Sequence, residues 1–236
     1  MNNQQKSLIK AIIPGWAIKL ARRFQVSIAL SNLDTNSAVT LVSQARNLSK
    51  IYPSINSVEE LICKYKAPYG MTSIALDLGC GGYPRNPFAA TETYGVDIRS
   101  DLANEIRQAD LSVEPIPFET NFLDFCTAFD VLEHIPRLSW LDGKSRLAFL
   151  ELMNEIHRVL KPGGLFMHST PAYPSKQAFQ DPTHTNLITE DTIPLYFCEP
   201  ANLAKKLGYG FQGSFELIEQ RWIDNTWVVG IMKAIK

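Results

Sequence analysis

The rhythm of apolar positions along this chain changes near residue 70. Before it, Leu8, Ile9, Ile12, Ile13, Trp16 and Leu20 recur at helical spacing, and Val58, Leu61, Ile62 and Tyr65 do so again. From Thr72 onward, short apolar runs at 74–78, 94–98, 123–128 and 165–169 alternate with helical patterns. Runs that short and without a 3.6-residue period fit strands buried on both faces, and their alternation with helices argues for a parallel sheet with crossover helices. The segment 144–160 predicts the clearest helix, with Phe149, Leu152, Met153, Ile156 and Leu160 on one face. Lys161-Pro162-Gly163-Gly164 supplies its stop. The last runs, 210–223 and 227–235, predict a closing pair of antiparallel strands. The division is therefore an N-terminal helical segment, 1–70, as a lid or substrate-contacting piece, and a sheet domain, 71–236.

Composition narrows the functions more than the fold. With 236 residues, 45% of them hydrophobic and 20% charged, the chain can bury a substantial core. A net charge of -1 gives no global attraction to nucleic acid, so none is expected as a partner. Cys63, Cys80, Cys126 and Cys198 lie far apart, with no CxxC pair and no secretory leader, which predicts reduced thiols in a cytoplasmic protein. No apolar run approaches a membrane span. The stretch 7–23 mixes apolar and basic residues as a helix on an anionic membrane surface does, but Pro14-Gly15 interrupts it and favours a packing or lid helix instead.

The first strand of the sheet domain leads into the candidate chemistry. The run at 74–78 contains Asp77 and is followed by Gly79, Gly81 and Gly82, where the missing side chains suit positive φ or close approach to a ligand at a strand's carboxyl end. Several nucleotide-binding folds share such a turn. The nicotinamide fingerprint needs a third glycine where this chain has Pro84, which counts against an NAD-linked oxidoreductase. Asp97, at the end of the next run, is placed to accept both hydroxyls of a ribose, from a dinucleotide or an adenosyl ligand alike.

Four segments in order, Leu76-Asp77-Leu78-Gly79-Cys80-Gly81-Gly82, Tyr94-Gly95-Val96-Asp97-Ile98, Phe129-Asp130-Val131-Leu132-Glu133-His134-Ile135 and Arg158-Val159-Leu160-Lys161-Pro162-Gly163-Gly164, resemble the successive motifs of class I S-adenosylmethionine-dependent methyltransferases. The resemblance implies an α/β fold with a Rossmann-like, doubly wound, mostly parallel seven-stranded sheet and an antiparallel closing strand. It implies S-adenosyl-L-methionine as cofactor, with Gly79 and Gly81 beneath its methionine part, Asp77 orienting the amino-acid end, Asp97 and the adjacent Ile98 at the ribose, and Asp110 with Leu111 at the adenine. The chain departs from the family pattern in the proline-stiffened loop Tyr83-Pro84-Arg85-Asn86-Pro87.

A sulfonium methyl is intrinsically electrophilic, so the remaining need is a placed nucleophile and, for a hydroxyl acceptor, a base. His134, in the third motif, and His184, in the polar segment Gln180-Asp181-Pro182-Thr183-His184-Thr185-Asn186, are the two candidates, with Tyr173 and Asp181 as substrate contacts. His157 and His168 read as structural, His168 as a hydrogen-bonded core residue. Asp181 and His184 are two metal-ligand types without a third at fixed spacing, so no metal is expected. The resulting expectation is O-methylation of a small-molecule or sugar hydroxyl; the alternatives are an NAD-linked oxidoreductase and a methyltransferase-like binding protein without turnover. Nothing in the sequence sets an oligomeric state.

Overall fold

The computed structural model describes residues 54–68 and 70–236. The helical patterns read between residues 8 and 20, and with them the lid and membrane-surface readings, lie outside the described residues. In chain order the elements are β1 (Ser54–Ile55), α1 (Val58–Ile62), β2 (Ile74–Leu78), β3 (Glu92–Asp97), β4 (Ile106–Gln108), β5 (Leu123–Phe129), β6 (Ser139–Leu141), β7 (Lys144–Arg146), α2 (Ala148–Val159), β8 (Leu160–Pro171), α3 (Gln177–Gln180), α4 (Thr192–Phe197), β9 (Cys198–Glu199), α5 (Leu203–Lys206), β10 (Phe215–Ile223) and β11 (Trp227–Ala234). None of these helices is long and apolar enough to cross a membrane.

One nine-stranded sheet runs in the order β1, β10, β11, β8, β5, β2, β3, β4, with β9 also on β10. Strands β4, β3, β2, β5 and β8 are parallel, and β11 runs antiparallel between β8 and β10. This is the mostly parallel α/β sheet with an antiparallel closing strand that the sequence predicts, but with nine strands rather than seven, because the two-residue strands β1 and β9 also pair with β10. The sequence order reverses between β2 and β5, so ligands are expected beyond the carboxyl ends of β2, β3 and β5.

The two faces of the sheet are covered differently. On one, the apolar stripe of α2, with Leu152, Met153 and Ile156 buried, packs with Phe197 of α4 and Ala204 of α5 onto Leu76, Cys126 and Phe166. On the other, α1 contributes Leu61 and Ile62 beside Ala75, Phe125 and Met167. No helix crosses between β2 and β3, contrary to the crossover pattern expected. The loop 79–91 covers the sheet instead by inserting Phe88, fully buried and stacked on Phe125 with ring centroids 4.6 Å apart. Pro84 and Pro87, with positive φ at Gly79, Gly81 and Ala89, leave no stretch for helical hydrogen bonds.

Two boundaries also differ from the pattern. Residues 144–146 are a strand rather than the first turn of the long helix, because Asp142 and Gly143 both take positive φ and close a two-residue hairpin between β6 and β7. Strand β10 starts at Phe215 rather than 210, since Gly208 and Gly210 also take positive φ. His168 is fully buried in β8 as expected, yet among the described residues neither of its ring nitrogens has the hydrogen-bond partner expected of it. Gly230 on β11 lies opposite it, and a Cβ there would sit 2.4 Å from His168 Nε2, so the imidazole occupies the space a side chain would need.

Candidate active site

The glycine turn leaves β2 at its carboxyl end, and its conformation is set by three tethers. The Gly79 N–H donates to the Val96 carbonyl at 2.7 Å and the Gly81 N–H to Asp97 Oδ2 at 3.0 Å. The Arg85 N–H donates to Asp77 Oδ2 at 2.8 Å, while the Thr127 hydroxyl donates to Asp77 Oδ1 at 2.7 Å. Asp77 is wholly buried, and burial raises its pKa against the lowering pull of those two bonds. Its carboxylate therefore holds the loop from beneath rather than facing a ligand directly. Gly79 has φ +61, and a Cβ there would lie 2.4 Å from Val131 Cγ2; Gly81 has φ +64 and open space beside it. Gly79 is thus required by packing as well as conformation, and Gly81 leaves room above the turn.

Asp97 ends β3 directly beside that turn. It is 8% exposed, and its Oδ1 accepts from the Arg99 N–H at 3.2 Å and from Arg99 Nε at 3.1 Å. Ile98 follows it with its side chain exposed. Asp110, after β4, closes a turn: its Oδ1 accepts from the Ser112 N–H and hydroxyl, at 2.9 and 2.6 Å. Leu111 beside it is buried in the core. These residues fit an adenosyl ligand bearing an amino acid: Asp97 and Asp110 offer acceptors for hydroxyls and an amine, and a side-chain-free position at Gly81 admits a bulky group close to the backbone.

The second cluster forms where β5 ends. Asp130, with φ +55, accepts from Trp227 Nε1 at 2.8 Å, and Leu132–His134 then makes a single 3-10 turn. This turn buries Glu133 to 1% exposure while leaving His134 exposed. The Thr170 hydroxyl donates to Glu133 Oε2 at 2.6 Å; Oε1 is buried with no hydrogen-bond partner among the described residues. Burial is the main reason that the Glu133 carboxyl is pushed up to about 7.

The polar segment after β8 folds back onto that turn. Asn186, buried, donates its N–H to the Glu133 carbonyl at 2.9 Å and its Nδ2 to the Leu132 carbonyl at 2.9 Å, and accepts from Arg137 Nε at 2.8 Å. His184 is thereby brought edge-on to His134, with ring centroids 4.8 Å apart. The Thr183 Oγ1 lies 3.0 Å from His134 Nδ1 and 2.6 Å from Asp181 Oδ1. An ionised Asp181 only accepts, so the hydroxyl proton points to it, and Thr183 must accept from His134 Nδ1–H. That assignment, inferred from the network, leaves the lone pair of neutral His134 on Nε2. Asp181 is held below the usual carboxylate range by the Thr183 hydroxyl and N–H. The Nε2 of His184 lies 4.0 Å from Asp181 Oδ2, and its Nδ1 is buried without a partner among the described residues.

The structure therefore brings His134, His184 and Asp181 together, joins Asp97 to the glycine turn, and places Tyr173 just beyond β8 against Phe179. The Tyr173 ring is exposed and rests edge-on against Phe179, 6.2 Å between centroids. Glu133 is the member that sequence reasoning did not single out for a role, and Thr183 stood there only among the polar residues of the segment 180–186 suited to hydroxyl recognition. The adjacency of Glu133 to His134 was visible in the motif, but its burial was not.

Residues 76–168 match a family model described as a methyltransferase domain. No curated protein matches the chain. Among solved structures, the cyclase SpnF is 13% identical, with 75% of this chain and 80% of that one covered and a TM-score of 0.50. A protein from Pyrococcus horikoshii is 19% identical over 81% of this chain and 98% of its own, with a TM-score of 0.49. A SAM-dependent methyltransferase from Aquifex aeolicus is 12% identical over 82% and 98%, with a TM-score of 0.47. Identities this low speak only to shared architecture.

Proposed function

We propose that this chain, a member of the class I S-adenosylmethionine-dependent methyltransferases by its domain at 76–168, methylates a hydroxyl oxygen of a small molecule or sugar. Membership decides against the hydride-transfer reading that the glycine turn left open: the enzyme is a methyltransferase and its cofactor is S-adenosylmethionine. When bound, that cofactor supplies a sulfonium-activated methyl group. In our reading, Gly79 and Gly81 leave room for its methionine part, Asp97 and the neighbouring Ile98 take the ribose, and Asp110 and Leu111 flank the adenine. Asp77 acts through the loop it anchors.

The observation that carries the acceptor assignment is the Asp181–Thr183–His134 chain of hydrogen bonds ending beside His184. A hydroxyl is a poor nucleophile until its proton can leave, and His134 Nε2 and His184 present ring nitrogens for that purpose next to the sheet's carboxyl edge. The hydroxyls of Thr183 and Thr185 suit recognition of a sugar-like or other small hydroxylated molecule, as does Tyr173 at the same edge.

The test is methyl transfer from labelled S-adenosylmethionine to a panel of sugars and phenols. His184→Ala and His134→Ala are expected to lower the rate about a hundredfold while leaving cofactor affinity nearly intact. Transfer that survives both substitutions, or a product methylated on nitrogen or carbon, overturns the reading.

A further inference from the structure

The side chains of Glu133, His134 and His184 each offer one ligand atom within 4.8 Å of the other two. Two of these groups carry unused bonding capacity in a place where it is costly. Glu133 is 1% exposed, yet among the described residues its Oε1 has no partner, and His184 Nδ1 is likewise buried and unpaired among them. An unsatisfied buried carboxylate oxygen is costly to keep, so its persistence points to a group that completes it. Around the cluster the charge is negative, from Asp130 after β5 and Asp181 beside both imidazoles. The Thr170 hydroxyl holds Glu133 Oε2, and the Asp181–Thr183 pair fixes the proton of His134 on Nδ1. Outer contacts of this kind orient metal ligands in general: they set the imidazole tautomer and aim the carboxylate.

We propose that Glu133, His134 and His184 form a binding site for one divalent first-row transition-metal ion, held at the carboxyl edge of the sheet beside the methyl acceptor. The donor set decides the class of ion. Two imidazoles and one carboxylate suit zinc, iron, cobalt or nickel, whereas magnesium and calcium prefer an all-oxygen shell. A tetrahedral ion with bonds of about 2.1 Å wants its ligand atoms roughly 3.4 Å apart, so the cluster must close by about 1.5 Å at its widest. The exposed His134 ring has the freedom to do so. Three protein ligands leave a coordination position open, and an acceptor oxygen placed there loses its proton more readily. The ion takes the same lone pairs that would otherwise remove the hydroxyl proton, so in place of the imidazoles it makes the acceptor oxygen more acidic, and the proton leaves to bulk water. The proposal rests on that reading only for the location of the acceptor.

Chelator-stripped, tag-free protein is titrated by calorimetry with zinc, cobalt and magnesium chloride, and the cobalt titration is followed by visible absorption. One cobalt or zinc ion per chain is expected, with magnesium at least tenfold weaker. Glu133→Gln, which keeps the bond from Thr170, and His184→Gln are each expected to weaken cobalt binding at least tenfold. No cobalt or zinc binding below about 1 mM, or binding unchanged in both variants, overturns the site. S-adenosylhomocysteine is titrated into the same samples. Retained cofactor binding without ion binding removes the metal site and leaves the methyltransferase reading intact. Ion binding that is lost in the variants while cofactor binding stays constant supports the site.

Discussion

Asp97 is already hydrogen-bonded on both oxygens, and the quality of those bonds decides how readily it serves a ligand. Its bonds to Arg99 belong to an ion pair whose arginine side chain is 75% exposed, and an exposed pair of this kind is worth about 0–1 kcal/mol. Ribose hydroxyls can displace it at little cost, while the Gly81 N–H keeps the carboxylate oriented. Asp97→Ala is expected to weaken S-adenosylhomocysteine binding by about 1–3 kcal/mol in calorimetry, because charge-assisted bonds are lost. Unchanged affinity in a folded variant would sink the ribose assignment. The two positive-φ glycines differ in a way denaturant titration can resolve. Gly81→Ala meets only the conformational cost of about 1–2 kcal/mol, whereas Gly79→Ala adds overpacking against Val131 and should cost about 2–5 kcal/mol. Equal losses would mean that Val131 yields without penalty.

At the scale of elements, the site depends on how two loops are joined, with buried Asn186 at the centre of the junction. The 3-10 turn after β5 and the segment 181–187 meet through Asn186, whose side chain and backbone bridge Leu132, Glu133 and Arg137. Asn186→Ala strands the buried Leu132 carbonyl and frees Arg137, so a stability loss of about 2–4 kcal/mol is expected by urea titration. The amides of 181–187 should exchange hydrogen faster, methyl transfer should fall at least tenfold, and S-adenosylhomocysteine affinity should hold. A variant with full transfer activity would show that the two loops need not be locked together. The hairpin β6–β7 illustrates how element boundaries were and were not legible. Its Asp142-Gly143 turn is a strong local signal, yet Lys144, Ser145 and Arg146 are compatible with a helix, and the apolar stripe from Phe149 onward absorbed them into α2.

For the whole molecule, His168 is one identifiable source of acid sensitivity. Burial alone holds His168 down at about 4, against an ordinary value of 6.5. Between those values the unfolded chain binds a proton that the folded protein refuses. The contribution of His168 is therefore fully present above pH 6.5 and lost as pH falls through 4, to an extent of about 3 kcal/mol. His168→Leu should flatten this part of the stability profile in denaturant titrations at pH 7 and pH 5. It should also raise stability at pH 7 by about 1–3 kcal/mol, because two unpartnered ring nitrogens are removed from the core. A variant that keeps the wild-type slope would assign the acid sensitivity to another group.

What the sequence determined by itself is what local chemistry dictates. The doubly buried strands at 74–78 and 123–128 showed as short, mostly apolar runs without a helical period, α2 as a 3.6-residue stripe, and the ligand turn as glycines followed by a strand-end carboxylate at Asp97; each property depends on residues within a few positions of one another. Tertiary structure alone decided the rest. That Asp77 faces inward to Thr127 and Arg85 depends on the pairing of β2 with β5 and on the path of the loop 79–91. That Phe88 replaces a crossover helix depends on the space over Phe125. The cluster of Glu133, His134 and His184 exists because three hydrogen bonds of one buried asparagine join loops far apart in sequence. No period or spacing records such a contact, since its geometry is set by the register of β5 and β8 and by the burial of polar groups that must find partners there.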